Sequence, residues 1–134
     1  MRSTEQDIQI YAMAADGSHV TQLTRRGKIN VRPAWSPDGT QIAYVAVSGE
    51  GPQATGALAV VRPDGSDLHT IATDIPVSPG YAPSWSPDGR TLLFVGQEVG
   101  YYNIYRVDRD GANFARVTDY TAFFSGLARS PVLQ

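Results

Sequence analysis

The sequence predicts an all-β fold, a partial β-propeller of about two and a half to three four-stranded antiparallel blades. The segment Pro33-Ala34-Trp35-Ser36-Pro37-Asp38-Gly39 returns almost unchanged at residues 83–89, and such self-similarity is typical of repeat architectures. An Asp-Gly pair also occurs three times, at residues 16–17, 64–65 and 110–111. Between these turn signals lie short runs of β-branched and aromatic residues, which are typical of strands. No window of helical length has helically spaced apolar residues without a Gly or Pro.

The elements follow from counting along this repeat. Residues 1–25 are predicted to form a half-blade that holds the third and fourth strands of a first blade. Residues 30–73 form a complete blade with strands over 31–36, 40–46, 57–62 and 67–72. A further blade covers residues 80–118. Residues 124–131 are the first strand of another, because Ala128-Arg129-Ser130-Pro131 matches Ala34-Trp35-Ser36-Pro37 without the tryptophan.

Turn chemistry explains why strands that are neighbours in sequence pair with each other. In Ser36-Pro37-Asp38-Gly39 the proline presets φ for a type I turn, Asp can bond back to the backbone, and Gly accepts the left-handed conformation. The three Asp-Gly pairs are short hairpin signals. Apolar residues align around these pairs, and those seven positions before each glycine are Ile10, Leu58 and Ile104. A four-stranded meander repeated in tandem is a propeller blade.

Composition narrows the classes of partner. The 134 residues are 42% hydrophobic, which is enough to bury a core. A net charge of −2 provides no basic surface for nucleic acid, and no apolar run approaches the length of a membrane span. With 0 cysteines, disulfides and thiolate metal sites are excluded. Residues 1–7 contain no apolar stretch of the kind found in a signal peptide.

The repeat resembles the TolB-type β-propeller repeat family. The residues that carry this resemblance are Ile10-Tyr11, Asp16-Gly17-Ser18, Leu23-Thr24, Trp35-Ser36-Pro37-Asp38-Gly39 and Ile42-Ala43-Tyr44. The match covers roughly residues 7 to 131, although Ala57-Leu58-Ala59 lacks the usual tyrosine. The resemblance implies a periplasmic or extracytoplasmic location, and it implies that partners bind at the ring face and the central pore.

Two and a half blades are too few for a ring, since propellers have four to eight. Open blade faces would expose apolar surface and unpaired strand edges. Three explanations remain open. Copies of the chain associate into a homo-oligomer, with a dimer that forms a ring of near six blades as the leading case. Alternatively, the chain is an excised or engineered piece of a longer propeller, or an unstable open arc.

The mouth of the channel is the predicted binding surface, because the innermost strands of successive blades begin there. Counting back from the tryptophan position brings Arg32 and Tyr81 to this place. Arginine and tyrosine are frequent hot spots in protein interfaces. Tyr101 and Tyr102, expected in an exposed loop, are secondary candidates. The alternative for each of these residues is that it is an ordinary strand-end residue with no role in binding.

The other candidate groups are explained by a structural role, without a catalytic or ligand-binding one. His19 and His69 are expected to be exposed hairpin residues, because no partner for catalysis is evident. Asp108-Arg109-Asp110-Gly111 resembles the start of a calcium loop, but Ala112 and Asn113 stand where such a loop continues with a ligand and a glycine. The cluster of Arg25, Arg26 and Lys28 is expected to be a solvated loop.

Ser36 and Ser86 belong to turns, because no nucleophile elbow surrounds them. Trp35 and Trp85 are both expected to pack in the core between adjacent blades. No catalytic residue, metal or cofactor is therefore predicted. The sequence favours a non-catalytic module that binds protein or peptide. The alternative is the propeller portion of a hydrolase, a peptidase or a lyase.

Overall fold

A computed structural model describes residues 7–49, 51, 54–71, 73, 75–98 and 101–118. All regular structure in these residues is β, in three antiparallel sheets, which confirms the predicted all-β, partial-propeller fold. The first sheet pairs β1 (Tyr11–Ala12) with β2 (Thr21–Gln22) and is called the half-blade below. The predicted strand over 124–131 lies outside the described residues.

The central blade is a four-stranded meander in the order β3-β4-β5-β6. Its strands are β3 (Ile29–Trp35), β4 (Ile42–Ser48), β5 (Thr55–Val61) and β6 (His69–Ile71). The β4–β5 register is unbroken from Ile42 opposite Val61 to Ser48 opposite Thr55. The strands begin and end within a few residues of the positions that the turn signals predict, because those turns set where pairing starts.

The third blade repeats this plan over residues 84–116. Its strands are β7 (Ser84–Trp85), β8 (Thr91–Glu98), β9 (Tyr101–Asp108) and β10 (Ala115–Arg116). The long β8–β9 hairpin pairs from Thr91 opposite Asp108 to Glu98 opposite Tyr101. In both complete blades the first and the last strand form the two opposite edges of the sheet.

The serine hydroxyls of the two Ser-Pro-Asp-Gly turns make the same hydrogen bonds. Ser36 Oγ donates to Asp38 Oδ1 at 2.8 Å and accepts the Gln41 N–H at 3.0 Å. Ser86 Oγ likewise donates to Asp88 Oδ1 at 2.6 Å and accepts the Thr91 N–H at 3.0 Å. Both serine hydroxyls are therefore used within their turns, as the sequence predicts.

The three Asp-Gly hairpins also share one backbone conformation. The second residue after each glycine has a positive φ, in His19 (57°), Asp67 (54°) and Asn113 (57°). The aspartate before each glycine accepts a backbone N–H two residues ahead, an Asx turn that stabilises the hairpin. His19 is therefore placed by hairpin geometry.

The core consists of two clusters, one on each face of the central blade. The cluster between the central and third blades contains Ala43, Val45, Leu58, Val60, Ile71, Val77, Leu92, Phe94, Tyr105 and Val107. The cluster between the central blade and the half-blade contains Ile10, Leu23, Ile42, Tyr44, Ala59 and Val61. Because side chains alternate along a strand, the two middle strands of the central blade, β4 and β5, supply both clusters.

The two tryptophans do not have the same environment. Trp85 packs against the cluster between the central and third blades, and its indole Nε1 donates to the Ala34 carbonyl oxygen at 2.9 Å. Trp35 occupies the same repeat position but is 53% exposed. The prediction of core packing is thus confirmed for Trp85 and wrong for Trp35. The physical reason is that no strand among the described residues occupies the place that β3 takes beside Trp85.

Candidate binding surface

Strand direction brings the predicted binding residues to one end of the blades. The start of β3 pairs with the end of β4, where Ile29 faces Val47. In the third blade, the β8–β9 hairpin turns between Glu98 and Tyr101 at the corresponding end. Val77 joins the two blades here through bridges to Gly56 of β5 and Gly96 of β8. This end of the blades, called the inner-strand end below, carries the candidate surface.

Arg32 lies on a bulge in β3. The register between β3 and β4 shifts between Val31 and Ala34, and Arg32 has a φ of 59°. A left-handed conformation is unfavourable for a residue with a side chain, so the surrounding structure must hold it. The Nε–H of Arg32 donates to the Pro79 carbonyl oxygen at 3.0 Å, in the segment that leads to the third blade. A bulge of this kind redirects a side chain within its strand.

Tyr81 follows Pro79 by two residues and is 56% exposed. The segment before it is fixed to the third blade, because Ser78 N donates to the Val95 carbonyl and Gln97 N donates to the Pro76 carbonyl. Gly80 N also donates to Ser78 Oγ at 3.2 Å. The structure therefore brings Arg32 and the segment that carries Tyr81 to the same place, although the two residues belong to different blades.

An open groove of about 640 Å³ adjoins Arg32. It runs between the half-blade and the innermost strand of the central blade. The lining residues are Ile8, Gln9, Ile10, Tyr11, Ile29, Asn30, Val31, Arg32, Pro33, Val47 and Pro79. Apart from Arg32 and two amides, these side chains are apolar or aromatic, and the set includes no glutamate or histidine among the described residues. The arrangement suits an extended segment that has apolar side chains and one acidic group.

Tyr101 and Tyr102 are strand residues, which corrects the prediction that they lie in a loop. They are the first two residues of β9, with Tyr101 half-buried and Tyr102 exposed. Tyr102 pairs with Gln97 across the hairpin. Strand β9 begins earlier than predicted, because β-propensity and the long pairing with β8 extend it back to Tyr101. Both lie at the inner-strand end, on a different blade from Arg32.

Electrostatics at this end involve one buried phenol. Tyr105 packs with Phe94 and Phe114 in a triangle of rings: its centroid lies 5.7 Å from that of Phe94 and 5.5 Å from that of Phe114, and the two phenylalanine centroids are 6.2 Å apart. Its hydroxyl donates to Glu98 Oε1. Burial, reinforced by the hydrogen bond to the Glu98 carboxylate, raises the pKa of Tyr105 to about 12. Tyr105 is thus a neutral packing residue that orients Glu98 beside the hairpin.

The other candidate groups are occupied by local contacts. His19 Nδ1 lies 2.8 Å from Ser18 Oγ, and His69 Nδ1 lies 3.0 Å from the Asp67 carbonyl oxygen. Arg25 Nη1 donates to the Gln22 carbonyl oxygen. The Asp108 carboxylate accepts from Thr91 Oγ1 at 3.0 Å and from Asn113 Nδ2 at 2.7 Å. These contacts agree with the hairpin and loop interpretations.

The described part of the chain has neither a metal-binding cluster nor a membrane-spanning helix. Its histidine, aspartate and glutamate side chains nowhere gather in a group of three that could hold a metal ion. Nor does any helix there reach the length and hydropathy that a bilayer crossing requires.

The sequence did not point to Pro79, whose carbonyl fixes Arg32. It also did not point to the groove. The first is a contact between residues 47 positions apart, which no local pattern indicates. The groove had no local signal either, because it arises where two sheets meet.

Comparison with known proteins agrees with the blade architecture. No family model matches the chain. A Tol-Pal system protein TolB from Thioalkalivibrio sulfidiphilus is 40% identical over 81 residues, which is 60% of this chain and 18% of that protein. The crystal structure of TolB from Acinetobacter baumannii superposes with a TM-score of 0.63 and 27% identity over 83% of this chain and 26% of that one.

A third likeness concerns the fold alone. The tricorn protease superposes with a TM-score of 0.57 and 15% identity, over 77% of this chain and 12% of the protease. The chain matches about a fifth to a quarter of the length of the two TolB proteins named above. The repeated Trp-Ser-Pro-Asp-Gly motif, the four-stranded blades and the sequence and structural likeness to TolB all support the resemblance of this chain to the TolB-type β-propeller repeat.

Proposed function

We propose that the chain is a non-catalytic propeller module that binds a protein or peptide segment at the inner-strand end of its blades. Copies of the chain associate with each other to complete the ring, with a dimer as the leading case. The observation that carries the binding proposal is Arg32, an exposed cation held in a strained bulge by the Pro79 carbonyl.

Arg32 is suited to recognise a carboxylate. Its Nε–H is committed to Pro79, and no other hydrogen bond or ion pair of Arg32 occurs within the described residues. A guanidinium anchored through one nitrogen presents its other N–H groups in a fixed direction, and guanidinium–carboxylate bonds are strong and directional. We therefore expect the bound segment to contribute an aspartate, a glutamate or a terminal carboxylate.

Tyr81 and the groove supply the apolar part of the surface. Tyr81 offers a large, stiff side chain at a small cost in conformational entropy, which is a property of hot-spot residues. The groove beside Arg32 is lined mainly by apolar side chains. An extended segment with an apolar residue near its acidic group would contact both. Tyr101 and Tyr102, at the same end of the blades, extend this surface.

Kinship supports the proposal at two points. The relative from Thioalkalivibrio sulfidiphilus is named as a protein of the Tol-Pal system, and such a name fits a role in protein assembly. The same kinship supports the periplasmic or extracytoplasmic location that the repeat implies. Self-association is supported by the half-blade, in which β1 pairs only with β2 among the strands of the described residues.

Selection from a phage-displayed library of random peptides tests the binding proposal. We expect enriched peptides to share an Asp or Glu next to an apolar residue. Arg32→Ala and Tyr81→Ala should each lower the affinity for a synthetic copy of such a peptide by about tenfold or more, as measured by calorimetry.

Arg90→Ala is the matched control, because Arg90 is an exposed arginine on the turn at the opposite end of β8. It should leave peptide affinity unchanged. Selection that enriches no peptide would contradict the proposal. So would enriched peptides that bind both alanine variants as tightly as the wild type. Native mass spectrometry of the chain tests self-association separately, with a strictly monomeric mass as the contradicting result.

A further inference from the structure

Two sets of exposed apolar side chains lie on opposite ends of the arc. The first set is on the half-blade and consists of Tyr11, Met13 and Val20. The second set is on the third blade and consists of Leu93, Ile104 and Val117. We call these the upstream face and the downstream face. Together they make up six of the exposed large apolar side chains of the described chain.

Each residue of the upstream face has a buried or half-buried counterpart one or two repeats later. Counted from the Asp-Gly glycine, Tyr11 corresponds to Tyr105, Met13 to Val107 and Val20 to Phe114. Met13 is 64% exposed, whereas Val107 is 0% exposed. Tyr105, Val107 and Phe114 form the side of the third blade that packs on the central blade.

The downstream face has counterparts on the other side of that same junction. Ile104 corresponds to Leu58, Val117 to Ile71 and Leu93 to Ala43. Ile104 is 39% exposed, whereas Leu58 is 0% exposed. Ala43, Leu58 and Ile71 belong to the side of the central blade that packs on the third blade.

We infer that the downstream face of one copy packs on the upstream face of a second copy, in a junction that reproduces the one between the central and third blades. This inference rests on the self-association proposed above. The two faces carry the two complementary halves of a junction that the chain already forms internally. The described residues form fewer blades than the four that a ring needs, so the two faces of one copy do not meet among them. A second copy presents the matching half of the junction to each face.

A junction between two different faces is heterologous, and it closes into a ring when the rotation per copy divides a full turn. Two copies, each with a half-blade and two complete blades, come near the size of common propellers. The pairing also removes exposed apolar area at both ends of every copy, which favours association.

Charged substitutions on each face test this arrangement. Met13→Glu disrupts the upstream face and Ile104→Glu the downstream face, and both sites are exposed in the single chain, so the variants should fold. Thr70→Glu, at an exposed position of β6, is the control. By light scattering over a dilution series, we expect Met13→Glu and Ile104→Glu each to weaken association about tenfold or more, and Thr70→Glu to leave it unchanged.

Mixing the two glutamate variants gives the decisive result. The Met13→Glu copy keeps an intact downstream face and the Ile104→Glu copy keeps an intact upstream face. Native mass spectrometry should show more heterodimer in the mixture than homodimer in a sample of either variant alone. Circular dichroism of each variant should match the wild type.

The outcomes separate the inference from the proposal under it. A wild-type chain that stays monomeric overturns both, and it assigns the two faces to blades of another protein or of a longer chain. A wild-type oligomer that both glutamate variants form equally well overturns this junction alone. An oligomer that only one of the two substitutions weakens also overturns it, because that result indicates contact between identical faces.

Discussion

The central blade and the two units beside it have the same repeat but different burial. Both faces of the central blade are covered, by the half-blade on one side and the third blade on the other. Among residues 7–118, as far as they are described, the half-blade and the third blade are each covered on one face. Leu58 and Ile104 therefore share a repeat position and a strand environment, yet only Leu58 is buried. In this chain, a repeat position becomes core only where a neighbouring blade covers it.

The largest expected difference is between Leu58→Ala and Ile104→Ala. Truncating a fully buried leucine removes apolar contacts and leaves a cavity, so Leu58→Ala should lower the free energy of unfolding by about 3 kcal/mol. Ile104→Ala should change it by less than about 0.5 kcal/mol in dilute solution, as exposed sites do. Urea unfolding measures both. Equal losses would show that the two faces are covered alike, and a loss for Ile104→Ala that grows with concentration would sharpen the comparison.

The second prediction concerns the crossing of the backbone between blades. A methyl group at Gly56 would run into the Val77 carbonyl oxygen and lie 2.7 Å from Val45 Cγ1. Gly56→Ala should therefore cost about 2 kcal/mol, because overpacking moves the segment that joins the two blades. Gly80→Ala is the control, since its methyl group would make only an ordinary contact with Ser78 Oγ at 3.5 Å. A Gly56→Ala variant as stable as the control would refute the close approach.

The tryptophans allow a third comparison. Trp85→Phe loses the indole hydrogen bond to the Ala34 carbonyl and should cost about 1 kcal/mol. Trp35→Phe removes no such bond to another described residue and should change stability by less than about 0.5 kcal/mol. Thermal unfolding at low protein concentration compares the two variants. The reverse order of stability would mean that Trp35, and not Trp85, is the tryptophan that joins the blades.

The smallest expected effect is local and should not depend on position in the arc. Hydrogen bonds from the hydroxyl and N–H of Thr40, and from Ser36, hold the pKa of Asp38 at about 2, against 3.8 for the ordinary group. The pKa of Asp88 is lowered by its bond from Ser86 and from the Arg90 N–H. A carboxyl whose folded pKa is depressed stabilises the protein above its ordinary pKa, and this contribution is lost as pH falls through the folded pKa.

Wild-type stability should therefore fall between about pH 4 and about pH 2, the range that the two Asp38 values set. Asp38→Asn and Asp88→Asn should each be less stable near neutral pH and lose less on acidification. Melting temperatures at the two ends of this range give the measurement. Asp38→Asn should show the larger change, because the Thr40 hydroxyl also donates to Asp38 whereas Arg90 donates to Asp88 only through its backbone N–H. Equal changes would contradict this local explanation.

Much of the architecture could be predicted from local pattern. The Ser-Pro-Asp-Gly turns, the Asp-Gly hairpins and the strands between them follow from backbone preferences of a few adjacent residues. The candidate surface was predictable only in part. Arg32 and Tyr81 follow from counting along the repeat, but the bond from Arg32 to Pro79 does not, because it joins residues 47 positions apart on different blades.

By itself, the sequence determined the strand order, the turns and the register of the repeats, because these depend on dihedral preferences and alternation within a single blade. Only the tertiary structure decided which copies of a repeated residue are buried, as Trp35 and Trp85 illustrate. Burial depends on what packs against a blade face, and the sequence of a repeated motif does not indicate whether another blade covers it. The exposed faces at the two ends of the arc, and the groove beside Arg32, are consequences of that neighbourhood.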